Sequence, residues 1–140
     1  MENLNDERTI PLAGMVGDSG KVIAADLQKK MLDSLYSRAQ RAGVQERIQL
    51  HLSAPDKIGI TRPIDFCLAF WMVHEVADQP RFLSEISMSL KPNGSFLLVE
   101  PKMHVSAKSF NETVKTIKDL GLSIAGQPRV FMSYAALFKK

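Results

Sequence analysis

The run Val22-Ile23-Ala24-Ala25-Asp26 constrains this chain most. Four apolar residues in a row suit a strand covered on both faces, as in parallel sheets. The acid marks where that strand leaves the core. Behind it, Met31, Leu32, Leu35, Tyr36, Ala39 and Ala42 recur at three and four residues, which predicts an amphipathic helix over 28–42. Gly43 suits its C-cap. A buried strand feeding a helix is the repeating unit of α/β domains.

The rest of the chain keeps this alternation. Residues 9–16 read as a short helix that tolerates Pro11 only in its first turn. Residues 47–52 alternate Ile48, Leu50 and Leu52 and read as a less covered strand, with His51 on its solvent face. Residues 64–72 read as a second strongly buried strand. Pro80 opens a helix carrying Phe82, Leu83, Ile86 and Leu90 on one face. Lys91-Pro92-Asn93-Gly94 reads as a turn, since Pro stops a helix and Asn-Gly accepts positive φ. Residues 95–99 are a core strand. Ser109 and Glu112 have capping-box spacing, and Phe110, Val114, Ile117 and Leu120 form the stripe of the helix they would open. Strands at 122–125 and 133–138 are joined by a short link at Gly126-Gln127-Pro128, which predicts an antiparallel hairpin.

Composition narrows the class. At 140 residues the chain suits one domain, read as a polar N-terminal segment over 1–8 followed by a domain over 9–140. A single cysteine, Cys67, cannot close an internal disulfide, so a reducing, cytoplasmic setting is expected. The longest apolar run, Phe66 to Val73, spans eight residues, too few to cross a bilayer. The net charge of +3 is spread along the chain and does not call for a nucleic-acid partner.

Asp26 is the most informative polar residue. Ligands of open parallel sheets sit beyond the carboxyl ends of the strands, where an acid accepts hydrogen bonds from both hydroxyls of a ribose. It equally suits the N-cap of the following helix. Both readings stay open on position alone.

Taken in order, Val22-Ile23-Ala24-Ala25-Asp26, Pro63-Ile64-Asp65-Phe66, Leu90-Lys91-Pro92-Asn93-Gly94, Phe96-Leu97-Leu98-Val99-Glu100 and a terminal hairpin resemble the class I S-adenosylmethionine-dependent methyltransferases. The similarity runs from about residue 9 to residue 140. Trp71-Met72-Val73-His74-Glu75-Val76 followed by Phe82-Leu83 looks most like the branch with quinone-biosynthesis C-methyltransferases and arsenite methyltransferases. The resemblance implies an α/β, Rossmann-like three-layer sandwich with a mostly parallel sheet and an antiparallel C-terminal hairpin. It implies S-adenosylmethionine as cofactor and a small-molecule methyl acceptor as partner. Asp26 would hold the ribose hydroxyls and Leu27 would pack on the adenine. Ser53, Ala54 and Pro55 would flank the adenine, where the family often has an acid; here Asp56 comes slightly late. Ala69, Phe70 and Trp71 would run beside the methionine part. His74 and Glu75 would face the acceptor, with His74 a candidate general base set against an ordinary structural histidine. An arsenite methyltransferase would need several thiols, so the lone Cys67 argues against that substrate.

One family part is missing from the sequence. A glycine-rich loop lies roughly 20 residues before the ribose acid in such folds, yet residues 1–8 hold no glycine and no apolar run. The first strand and its loop are therefore expected to be absent. Three repairs are expected: direct pairing of the strands that flank the gap, giving order 3-2-4-5-7-6 by family numbering; a strand from a second copy in a homodimer; or a loose region. The functional expectation is a methyltransferase domain whose cofactor binding is impaired by the lost loop. The alternative is a non-catalytic remnant serving interaction or oligomerisation. His51, His74 and His104 are scattered without metal-ligand spacing, so no metal site is expected. Trp71 suits a pocket wall or the edge of the core.

Overall fold

The computed structural model describes residues 4–140, with side chains from Arg8 onward. They divide into two compact units that meet in sequence between Gly59 and Ile60.

The first unit holds α1 (Leu4–Met15), β1 (Val22–Asp26), α2 (Lys29–Ala42), a 3-10 turn at Gln45–Arg47 and β2 (Ile48–Leu52). β1 and β2 are parallel, from Val22 opposite Ile48 to Asp26 opposite Leu52. The helical connection between them is what a parallel pair requires. Gly43 takes φ 72° at the end of α2, the left-handed value that glycine adopts without strain. Ala13, Leu35, Ala39 and Ile48 form a small core, with Ile10, Val22, Ala24 and Leu50 packed around it.

Three expectations change here. α1 begins at Leu4 and carries Pro11 in its interior, not in its first turn. Leu, Glu and Arg are good helix formers, so the polar start extends the helix. Pro11 still removes one backbone bond. β1 is only half-covered, with Ala25 exposed, because β2 is its single sheet neighbour. His51 is half-buried, and its ring Nε2 donates to the Ile58 carbonyl at 2.7 Å.

The second unit holds β3 (Ile64–Phe70), a 3-10 turn at Val73–Glu75, α3 (Gln79–Ser89), β4 (Leu90–Pro101), α4 (Ala107–Asp119), β5 (Ser123–Gly126) and β6 (Ser133–Lys139). Its sheet runs β3-β4-β6-β5. β3 and β4 are parallel, and β6 is antiparallel to both β4 and β5, so the terminal hairpin forms as expected. Phe96, Leu98, Val99 and Phe138 are essentially fully buried. Each such side chain contributes roughly 1.5–3 kcal/mol by leaving water.

β3 is buried only towards its end, at Ala69 and Phe70, while Asp65 and Phe66 near its start are exposed. It stops before Trp71, whose φ of 54° no strand residue adopts. The turn expected at 91–94 is absorbed into β4 as an irregularity: the register jumps between Ile64 and Phe66. Asn93 takes the positive φ, 67°. Gly94 is needed for close approach, since a Cβ there would lie 2.8 Å from the Lys91 carbonyl oxygen. α3 is capped by Asp78, which accepts from the Arg81 amide. α4 is capped by Ser106, not Ser109: Ser106 Oγ accepts from the Ser109 amide at 3.1 Å. The capping pattern therefore starts three residues earlier than the Ser109–Glu112 pair suggested.

The direct pairing of β1 with β3 is not made. Among the described residues there are two sheets, ordered β1-β2 and β3-β4-β6-β5. The neighbours within each sheet are those expected, and the ladder between β1 and β3 is the part that fails. Each sheet is held by packing within its own unit, and a few extra backbone bonds at about 1 kcal/mol each do not remake two cores.

Candidate functional site

The residues singled out by sequence fall into two clusters, one on each unit. In the first, Asp26 ends β1 and Leu27 follows it. Asp26 does not cap α2. That position is Gln28, whose side chain makes no capping bond. Asp26 Oδ1 instead accepts from the Gln28 amide at 2.8 Å, fixing its carboxylate at the strand tip. Its carbonyl accepts from the Ser53 amide at 2.8 Å, which ties the tips of β1 and β2 together. Leu27 is 56% exposed, so an apolar side chain follows the carboxylate at the surface.

The loop after β2 is closed on itself. Ala54 and Lys57 exchange backbone bonds at 3.0 and 3.2 Å. The Ile58 carbonyl accepts from both Ser53 Oγ at 3.0 Å and His51 Nε2. Ser53 and Ala54 are thereby set at the end of β2. Asp56, the late acid, is exposed in the loop.

In the second unit, Ala69, Phe70 and Trp71 end β3. Phe70 and Trp71 stack at 5.3 Å between centroids. The Trp71 amide donates to the Val99 carbonyl at 2.8 Å, and its indole Nε1 donates to Ser133 Oγ at 2.8 Å. Ser133 Oγ in turn donates to the Phe131 carbonyl. These bonds offset the cost of a positive φ on a bulky residue, about 1–3 kcal/mol. Trp71 is anchored at the edge of the core and remains partly exposed.

His74 lies in the 3-10 turn after Trp71. Its Nδ1 is 3.3 Å from Glu100 Oε1, at the end of β4, and its Nε2 is 3.9 Å from Glu75 Oε1. Glu100 is 3% exposed. Burial pushes its carboxyl above the ordinary range, while His74 and the backbone amides of His74 and Val73 pull against that rise. The His104 ring stacks on His74 at 5.9 Å, with 7° between planes. Two histidines read as scattered are thus brought together. Cys67 is half-buried on β3, not the fully buried residue expected. Burial pushes its thiol up to about 12, so it is a poor nucleophile near neutral pH.

A methyltransferase domain profile matches residues 8–98, well over half of the chain. The chain belongs to the methyltransferase domain family. The demethylmenaquinone methyltransferase of Lactobacillus johnsonii is 33% identical over 93 residues, covering 66% of this chain and 38% of that protein. The chain spans less than half the length of the curated relatives it matches. A SAM-dependent methyltransferase from Aquifex aeolicus superposes with a TM-score of 0.78 at 22% identity, over 92% of this chain and 73% of that one. The [4+2]-cyclase SpnF superposes at 0.74 and 13% identity, over 89% and 50%. The fold of this methyltransferase domain is therefore the Rossmann-like α/β fold of class I S-adenosylmethionine-dependent methyltransferases. The cyclase shows that the fold alone does not choose the reaction.

Glu100 is the site residue that sequence reasoning missed. It stood in the quoted strand motif, yet nothing marked it as more than a strand end. One signal was available: an acid directly after Phe96-Leu97-Leu98-Val99 repeats the pattern of Asp26 after β1. His104 and Ser133 carried no comparable signal, because their roles arise from contacts with residues 30 and 62 positions away in sequence.

Proposed function

We propose that this methyltransferase domain binds S-adenosylmethionine and transfers its methyl group to a small-molecule acceptor. The observation that carries the reading is Asp26. A carboxylate held at the tip of a parallel strand supplies the paired acceptors that two vicinal ribose hydroxyls need. Exposed Leu27 offers a face to the adenine, with Ser53 and Ala54 on its other flank. The family resemblance assigns Ala69, Phe70 and Trp71 to the methionine part and His74 and Glu75 to the acceptor side. When bound, the cofactor supplies an electrophilic methyl carbon. The domain's own part is to bind, orient and exclude water, which is where most of the rate enhancement of such transfers arises.

Calorimetric titration with S-adenosylmethionine and S-adenosylhomocysteine tests this. Binding that weakens about 10-fold to 100-fold in Asp26→Ala, as expected for losing charge-assisted hydrogen bonds, supports the reading. No heat with the wild-type chain, or equal affinity in the variant, refutes it.

A second reading, an interaction domain, draws on one observation. β3 is terminal in its sheet and exposes Phe66, the kind of edge that another chain can extend. Light scattering decides it: a stable homodimer disrupted by Phe66→Lys supports a strand-covering partner, and a monomer at all concentrations removes it.

A further inference from the structure

Two segments leave the second sheet side by side, one after β4 and one before β6. In the β4–β6 ladder Pro101 faces Ser133, and the Lys102 amide donating to the Met132 carbonyl at 2.9 Å carries the pairing one residue further. Each segment then turns. The amides of His104 and Val105 donate to the Pro101 carbonyl, and the Ser133 amide donates to the Val130 carbonyl. On these turns Met103 is 76% exposed, Phe131 85% and Met132 48%. Met132 also takes φ 51°, a left-handed conformation that a non-glycine residue adopts at a cost. An exposed apolar side chain standing singly needs no account, but three on two joined turns form a patch.

The charge on these segments is of one sign. Lys102, Lys108 and Arg129 are exposed, and residues 101–108 and 126–132 contain no acid. Among the described residues no carboxylate pairs with any of the three. Lys102 Nζ lies 5.3 Å from the centroid of the Tyr134 ring, which keeps that cation at the end of β4. A second copy does not suit this surface, because an isologous contact would set the same unpaired cations against each other. A protein partner needs roughly 20–30 residues a side, and these two short segments fall well below that. Methionines offer no flat face on which bases stack. An anionic bilayer answers both features: its acyl boundary takes apolar tips, and its headgroups take the cations beside them.

We propose that the joined turns at 101–104 and 129–132 dock this domain on an anionic lipid surface, with Met103, Phe131 and Met132 entering the boundary between headgroups and acyl chains and Lys102 and Arg129 meeting lipid phosphates. The inference stands apart from the methyl-transfer reading, since docking requires no cofactor and no reaction. The attachment is shallow and reversible, because a few loop side chains enter the interface and no element spans it.

The test is sedimentation of the whole chain with vesicles of phosphatidylglycerol and phosphatidylcholine in equal parts, compared with phosphatidylcholine alone. Binding to the anionic vesicles is expected, about tenfold or more tighter than to the neutral ones, and weakened by salt. Phe131→Ser is expected to weaken it about tenfold and Arg129→Gln about fivefold. Both side chains are exposed, so the core is left intact. Methionine-methyl NMR of the wild type with spin-labelled lipid gives a readout free of any variant. The Met103 and Met132 signals are expected to broaden, while Met88, 74% exposed but just ahead of the opposite end of β4, stays sharp. No sedimentation, equal affinity for the two vesicles, or unchanged binding in Phe131→Ser overturns the proposal. So does broadening of Met88 together with Met103, or displacement from the vesicles by inorganic phosphate or a single-stranded oligonucleotide at equal ionic strength.

Discussion

The two units carry their candidate residues in opposite ways. In the first, β1 ends in a carboxylate beside exposed Leu27, and Leu52, which ends β2 opposite Asp26, is also exposed. In the second, a four-stranded sheet with fully buried Phe96, Leu98 and Phe138 supports a buried carboxylate, a stacked histidine pair and a tryptophan at positive φ. Buried charge and backbone strain each cost about 1–3 kcal/mol or more, and they persist only where dense packing over-determines them. A thin unit can present a surface carboxylate for recognition. Only a well-packed one can hold a desolvated Glu–His pair.

This contrast can be broken at several points. The largest effect is expected from Phe138→Ala, which should lower the unfolding free energy of the second unit by about 3–5 kcal/mol in denaturant titrations. A loss near 1 kcal/mol would mean the core is far less tight than its burial indicates. Next comes the pH dependence of stability. Folding raises the Glu100 carboxyl above its ordinary 4.5. The native state therefore holds its proton more tightly than the unfolded one, and Glu100's contribution is full below pH 4.5 and lost as pH rises through the raised value. Glu100→Gln should flatten the fall in thermal stability above pH 4.5; an unchanged slope would show that the carboxyl is not desolvated. Trp71→Phe removes the bond from Nε1 to Ser133 and should cost about 0.5–1.5 kcal/mol. The smallest change belongs to the thin unit: Leu52→Ala, at an exposed position, should stay within about 0.5 kcal/mol of wild type by thermal unfolding.

Much of the fold is legible from local pattern. Periods of two and 3.6 residues located the helices, the strands and the terminal hairpin, because a side chain's face is set by its position along its own element. Errors came where a boundary depends on one local competition. Ser106 rather than Ser109 caps α4, and Pro11 sits inside α1. The site divides along the same line. Asp26 was visible because its meaning lies in following its own strand. Glu100 gained its meaning only from His74, which lies 26 residues earlier in the chain.

The amino-acid order by itself determined the α/β class, the succession of elements and the acid at the tip of β1, since these follow from short-range periodicity and the covalent neighbourhood. Only the tertiary structure decided that the strands form two separate sheets, that His74 meets both Glu100 and His104, and that Trp71 is tied to Ser133. Those outcomes depend on distances between segments far apart in sequence. Packing sets such distances, and no local pattern encodes them.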